Sequence, residues 1–381
     1  MVLASKDCIK ASASILLLLF VAGVLVGGLL IYFVSYRQVT NLNGQITNLQ
    51  SAVSDLQGNQ NTTYQTITIL QNGTSLADIY NDVRASVVLI QGETSNGGVQ
   101  GSGFVYSFSG RTVVLTNYHV VQDTSGLSVT FHDGHGYSAT VLGTDPYSDL
   151  AVISVSSDAP ASEFKPLKIV SSSTLGVGEP VIAIGNPYGL VGSLTTGVVS
   201  ATGRSITEDT AGGYAIANII QTSTPINPGN SGGPLLNAVG NVVGITTAIV
   251  SDSQGLGFAI PSDTILREVS ALTTAGSYHG HSYLGVRGTD MDYATAKQTG
   301  ANVTYGWQIS TIVSGGPSDG KLHVGDIIVA MDGQRIRNND DLASYLEEHT
   351  LPGDNITLTV VRGKSQLDVT VILGTRPAPS A

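Results

Sequence analysis

Three short stretches of the chain carry the residue types that acyl-transfer chemistry on an amide needs. Thr224-Pro225-Ile226-Asn227-Pro228-Gly229-Asn230-Ser231-Gly232-Gly233-Pro234 sets a serine among glycines and prolines, between apolar, strand-like segments. A serine that attacks an amide needs a sharply turned backbone with neighbouring amides available to an oxyanion, and Gly229, Gly232 and Gly233 permit such a turn. A serine hydroxyl is a poor nucleophile unless an imidazole takes its proton, and the imidazole needs a carboxylate on its other nitrogen. Thr116-Asn117-Tyr118-His119-Val120 places His119 where an apolar strand passes into a loop, and Asp145-Pro146-Tyr147-Ser148-Asp149-Leu150 places Asp149 just before another buried-looking strand. Each residue alone also reads as structural: a core histidine, a turn aspartate, a serine in a glycine loop. The chain order His119, Asp149, Ser231 within one β-rich region is what makes the combination specific.

The elements that must position these groups read as an all-β body. Short runs rich in Val, Ile and Thr, such as Gly103–Ser107, Thr112–Val121, Leu150–Val155 and Ala217–Thr222, alternate with Gly, Asp, Asn and Ser turns. Ser262–Leu272 is helix-like, with Ser262 as its cap, and closes this domain. A length of 381 residues calls for two domains plus accessory segments. The expected division is 1–37 cytoplasmic N-terminus and anchor, 38–75 stalk, 76–275 the β-rich domain that carries the three groups, and 276–381 a second small domain with the C-terminal tail. A formal charge of −11 with only 12% charged residues leaves no basic footprint, which argues against a nucleic-acid partner. The single cysteine, Cys8, precedes the apolar segment, so no disulfide can form within the body.

From Ile15 to Val34 the chain is uncharged and apolar for about the length that crosses a bilayer as a helix. Lys6 and Lys10 precede it and Arg37 follows, which places the N-terminus in the cytoplasm and the rest outside. A cleaved signal peptide fits less well, because the run is long and no small-x-small site follows. Val39, Leu42, Ile46, Leu49, Val53 and Leu56 alternate at spacings of three and four, the pattern of a short coiled coil; a polar linker is the competing reading. Four N-x-Thr sequons, at Asn61, Asn72, Asn302 and Asn355, decide nothing. His132, His135, His279 and His281 are expected to be exposed, and no metal site or other cofactor is expected.

The motifs around His119, Asp149 and Ser231, together with Gly185-Asn186-Pro187-Tyr188-Gly189-Leu190 and Gly257-Phe258-Ala259-Ile260-Pro261, resemble the successive signatures of the HtrA/Deg serine proteases. The resemblance implies a mainly β fold, a chymotrypsin-like double β-barrel. It further implies His119 as general base, Asp149 as its orienter, Ser231 as nucleophile, and an oxyanion hole in the backbone of Gly229, Asn230 and Ser231. One departure is Gln221-Thr222-Ser223-Thr224-Pro225, where the family usually has an acidic residue and alanines, so the shape of the loop before the nucleophile is open. In such folds the residues before the nucleophile floor the primary pocket. Pro225 and Ile226 carry no charge, so small or medium aliphatic residues are expected before the cut bond, with Thr246, Thr247 and Ala248 as pocket walls.

Ser282–Val286, Val324–Gly333 and Gly353–Leu358 resemble the PDZ domain that follows the protease in this family. Such domains add an extended peptide C-terminus to a sheet edge. Here Tyr283, Leu284, Gly285 and Val286 would hold its carboxylate, and Leu342 and Leu346, on a helix over Asp340–His349, would face the groove. The expected protein is a membrane-anchored serine endopeptidase acting on unfolded or misfolded extracytoplasmic proteins, as a homotrimer or higher oligomer. The alternatives are a non-proteolytic chaperone or scaffold on the same barrels, and a regulatory protease that cuts one signalling partner.

Overall fold

The structure is a computed structural model. It describes residues 27–29, 32–33, 35–47, 75–95, 97–186, 192–207, 215–247 and 256–378. The chain divides into two compact units, residues 1–69 and 70–381. In the first, residues 35–47 form a helix, α1, with Val39, Leu42 and Ile46 exposed along it; the rest of the expected coiled coil lies outside the described residues. So does most of Ile15–Val34, and among the described residues no helix is long and apolar enough to cross a membrane.

The second unit opens with α2 (Leu76–Val83), capped by a reciprocal Ser75–Asp78 box. Two closed six-stranded barrels follow. The first comprises β1 (Val87–Thr94), β2 (Gly97–Phe108), β3 (Arg111–Thr116), β4 (Ser125–Thr130), β5 (Gly136–Asp145) and β6 (Leu150–Val155), in the order β1-β2-β3-β6-β5-β4. The second comprises β7 (Pro180–Gly185), β8 (Ser193–Thr207), β9 (Ala215–Thr222), β10 (Pro234–Asn237), β11 (Val242–Thr247) and β12 (Gly257–Pro261), ordered β10-β11-β12-β9-β8-β7. Alternating side chains divide the burial among three cores. Val88, Ile90, Val114, Val129 and Ile153 fill the first barrel, and Val181, Ala183, Val199, Leu235 and Val243 the second. Phe104, Leu115, Leu150, Ile182, Ile184, Ile245 and Ile260 form a third core that joins the two.

The helix α4 (Ser262–Ala275) is three residues longer than expected and ends at Gly276 in the left-handed conformation. Ser262 is not its cap. The N-cap is Pro261, and the Ser262 hydroxyl donates to the Val170 carbonyl at 2.6 Å. The C-terminal domain folds as expected into β13 (Ser282–Tyr283), β14 (Val286–Asp290), α5 (Tyr293–Thr299), β15 (Trp307–Ile312), β16 (Ile327–Met331), β17 (Gln334–Arg335), α6 (Asn339–His349), β18 (Asn355–Arg362), β19 (Ser365–Ile372) and β20 (Gly374–Thr375). Its core gathers Trp307, Ile309, Ile328, Met331, Leu358 and Val360.

The junction between this domain and the barrels overturns the expectation that His281 is exposed. His281 is 2% exposed, with Nε2 2.5 Å from Asp145 on β5 and Nδ1 3.1 Å from Glu347 on α6. Arg267 of α4 pairs with both Glu347 and Glu268. Burial alone would lower the pKa of His281, but bonds to the two carboxylates outweigh it and push the value up to about 10. Burial would raise the pKa of Glu347, and His281, Arg267 and Arg376 bring it down to about 2. Glu268 goes the other way: burial and the Asp145 charge raise it well above the usual carboxylate range. The cluster is therefore an ionic clamp between the domains. Within it, Glu268 Oε2 and Arg267 Nε are buried without a hydrogen-bond partner among the described residues.

Linkage fixes the pH window. Unfolded His281 loses its proton near 6.5 and folded His281 near 10, so its stabilisation is full below pH 6.5 and is lost as pH rises towards 10. The stabilisation from Glu347 is full above pH 4.5 and is lost as pH falls towards 2. His281→Gln should cost about 3–5 kcal/mol by leaving buried charge unpaired. It should also flatten the fall in melting temperature of the wild type between pH 6.5 and 10; melting curves of both proteins across that range provide the check.

Candidate active site

Asp149 takes the left-handed conformation, φ +50, at the end of the turn between β5 and β6. This strained turn points its carboxylate inward, where it is fully buried. Its own carbonyl accepts the Asn117 side-chain amide at 2.9 Å and the Tyr118 N–H at 3.1 Å, which ties it to the end of β3. The carboxylate accepts three donors. The His119 N–H lies at 3.0 Å, the His119 ring Nδ1 at 3.0 and 2.9 Å from its two oxygens, and the Thr247 hydroxyl at 3.1 Å. His119 sits not in a loop but in a single helical turn, α3 (Tyr118–Val121), directly after β3. The turn lets backbone and ring address the same carboxylate. With Nδ1–H given to Asp149, the other ring nitrogen is left in the tautomer that accepts a proton.

Ser231 comes from the second barrel, in the connection from β9 to β10, and is 5% exposed. Its backbone is fastened to the first barrel by the Ser102 N–H, which donates to the Ser231 carbonyl at 2.7 Å. Ahead of it, Asn227-Pro228-Gly229-Asn230 closes through the Asn230 N–H to the Asn227 carbonyl at 2.9 Å, with Gly229 at φ +98. Proline second, positive-φ glycine third and this bond define a type II turn. The turn corrects one expectation: the Asn230 amide faces into it and is not an oxyanion donor. The Gly232 and Gly233 amides donate to Thr246 and Asn230 carbonyls.

The unusual loop before Ser231 is well supported. The Thr222 hydroxyl donates to the Val198 carbonyl at 2.8 Å and lies 2.8 Å from the Thr224 hydroxyl, the Ser223 hydroxyl accepts from the Val198 N–H at 3.0 Å, and the Thr195 hydroxyl donates to the Pro225 carbonyl at 2.9 Å. Hydroxyls reaching to β8 thus hold the loop that an acidic residue and alanines form in the resembled pattern. Ile226 packs its apolar side chain on the core of the second barrel, and Pro225 is exposed. Thr246 and Thr247 are buried with their hydroxyls committed, Thr246 to the Asn230 and Gly233 carbonyls and Thr247 to Asp149, so neither presents a hydroxyl to a substrate. Ala248 lies outside the described residues, as do Pro187–Leu190.

In the C-terminal domain, Tyr283, Leu284, Gly285 and Val286 line a groove of about 330 Å³, together with Leu342 and Leu346. Gly285 has φ +77, which suits the tight loop. Two contributors escaped the sequence reading. Thr247 supports Asp149 from the other barrel, and Ser102 contacts the Gly229–Ser231 loop. The second had a signal, since Gly101 and Gly103 inside a strand mark close approach of other backbone.

Two six-stranded barrels with a histidine–aspartate pair and a serine at their seam define a trypsin-like fold, here followed by a smaller domain. Residues 101–245 match the family described as trypsin-like peptidase domain, and residues 282–373 match the PDZ domain. The chain is 38% identical over 284 residues to a probable periplasmic serine endoprotease DegP-like of Chlamydia muridarum, covering 74% of this chain and 55% of that protein. It is 38% identical over 281 residues to the putative serine protease HhoA of Synechocystis, covering 71% and 70%. The solved HtrA-type protease AlgW with tripeptide superposes with a TM-score of 0.64 at 30% identity, covering 80% of this chain and 99% of that one. The chain belongs to the HtrA/DegP family of serine proteases. It spans little more than half the length of the DegP-like relative.

Gly232 offers a test of the site geometry. A Cβ there would lie 2.0 Å from the Ser102 carbonyl oxygen, at φ +86. Gly232→Ala should therefore cost about 3 kcal/mol from backbone strain and overpacking combined. The fall in denaturation midpoint should be accompanied by slower labelling of Ser231 by a fluorophosphonate.

Proposed function

We propose that this protein is a serine endopeptidase in which Ser231 attacks, His119 transfers protons and Asp149 orients the histidine. The observation that carries the proposal is the His119 ring held at 2.9 Å to the buried Asp149 carboxylate, at the seam where the Ser231 loop is fastened. His119 takes the Ser231 proton as Oγ adds to the scissile carbonyl, and the resulting imidazolium is stabilised by Asp149. The oxyanion is received by the amides of Gly229 and Ser231, the former presented by the type II turn. His119 then gives its proton to the leaving amine, and water reverses the sequence to free the acid. Ser231→Ala should abolish casein cleavage and leave substrate binding intact; cleavage that persists would refute the assignment. Ile226 supports a pocket for small or medium aliphatic side chains, so cutting mainly after Lys or Arg would contradict it.

The substrates we assign are unfolded or misfolded extracytoplasmic polypeptides, with the Tyr283–Val286 groove taking free C-termini. Ile15–Val34 anchors the chain by one span, the N-terminus is cytoplasmic, and the protein works as a homotrimer or higher oligomer. Alkaline carbonate should leave it in the membrane fraction, and release into the supernatant would sink the anchor. One observation favours a regulated protease over a constitutive one. The groove helix α6 is bonded along its back to the β8–β9 hairpin: Asp340 accepts the Ser205 N–H at 2.9 Å, and the Asn218 amide reaches Glu348 at 2.5 Å. The base of that hairpin holds Thr222–Pro225. Peptides ending in a free carboxylate should raise the cleavage rate, and no response across a broad panel would count against this reading.

A further inference from the structure

Ser102 is fully buried in β2 between two glycines. β3 pairs with β2 only from Phe104 to Phe108, so on that side Ser102 has no strand partner. Its backbone finds partners at the seam instead. The N–H donates to the Ser231 carbonyl at 2.7 Å, and its carbonyl accepts the Thr116 hydroxyl at 2.7 Å. Its side-chain hydroxyl donates to the Gly229 carbonyl at 2.6 Å and accepts the Asn186 N–H at 2.8 Å. One residue of the first barrel therefore grips the carbonyls of Gly229 and Ser231, the two residues whose amides serve the oxyanion.

The other ends of the same two peptide groups are also held. The Gly229–Asn230 peptide has its carbonyl on Ser102 and its N–H on Asn227; the Ser231–Gly232 peptide has its carbonyl on Ser102 and its N–H on Thr246. A peptide plane bonded at both ends cannot rotate without breaking both bonds. Access is equally restricted, since a Cβ on Gly101 would meet the Ser231 carbonyl at 3.2 Å, and one on Gly185 would meet the Asn230 Cα at 2.8 Å.

We infer that Ser102 is a positioning residue for the reaction: through its hydroxyl it locks the Gly229–Asn230 peptide, and with it the type II turn that aims the Gly229 amide at the oxyanion. The inference rests on Ser231 being the nucleophile. Without the hydroxyl, the turn is free to exchange with other arrangements in which that amide points elsewhere, and stabilisation is lost in the transition state more than in the bound substrate.

The experiment compares wild type with Ser102→Ala on a peptide substrate, using the full chain. The expected result is a kcat lower by about 10- to 100-fold, less than the 10²–10³ for outright loss of an oxyanion donor. KM should stay within about two-fold and the pH midpoint of kcat should not move. A peptide aldehyde, whose hemiacetal oxygen needs the same donors, should weaken in step with kcat, while binding of C-terminal peptides to the PDZ groove is unchanged. If Ser102→Ala does not fold, Ser102→Cys fills the same space with a weak donor and should show the same kcat and aldehyde losses, smaller in size. Equal kcat in folded variant and wild type overturns the inference, and so does a loss of activity that merely follows the unfolded fraction. Wild type that fails to react with a fluorophosphonate is a separate result, which removes the nucleophile and this inference together.

Discussion

A carboxylate with no exposed surface is tolerable only if donors surround it, and at Asp149 those donors come from both barrels. His119 supplies two of them from the helical turn after β3, and Thr247 supplies the third from the last residue of β11. The buried charge therefore does more than orient an imidazole. It is satisfied only when the barrels are docked, and the joint core of Phe104, Leu115, Ile182 and Ile245 is what docks them. Apolar burial brings the halves together, and the polar bonds across the seam then select one arrangement of them.

The turn that carries Ser231 follows the same logic with neutral groups. Gly232 is needed where the Ser102 carbonyl of the first barrel passes within contact distance, and Gly233 where the Ile184 carbonyl of the second barrel does. The loop ahead of it shows how a departure from a familiar pattern can leave a geometry intact. Thr222, Ser223 and Thr195 bond to neighbouring backbone, so the loop is held without charge.

What could be read from sequence was local. Strand-end motifs with glycine turns located His119, Asp149 and Ser231, and periodicity located α4 and α6 to within a few residues. What could not be read depended on partners far along the chain. His281 looked like a linker histidine because Asp145 and Glu347, which bury and charge it, lie 136 and 66 residues away. Thr247 faces Asp149 across 98 residues, and Ser102 faces Gly229 across 127. The misassignment of the Asn230 amide has a different origin. A run of three amides beside a nucleophile carries no sign of which one closes the turn, and only the i to i+3 bond decides it.

The division of the site between barrels also bears on how the chain is made. Domains form as the chain emerges, N-terminal portion first. Once residue 155 is available all six strands of the first barrel are present, with His119 and Asp149, but the Asp149 carboxylate still lacks the Thr247 donor of the second barrel. At that stage it holds a base with nothing to deprotonate. Ser231 cannot be seated until β11 supplies Thr246, and the second barrel cannot close until β12 is complete at Pro261. A chain that ends short of Pro261 thus carries His119 and Asp149 without the closed second barrel that seats Ser231 against them.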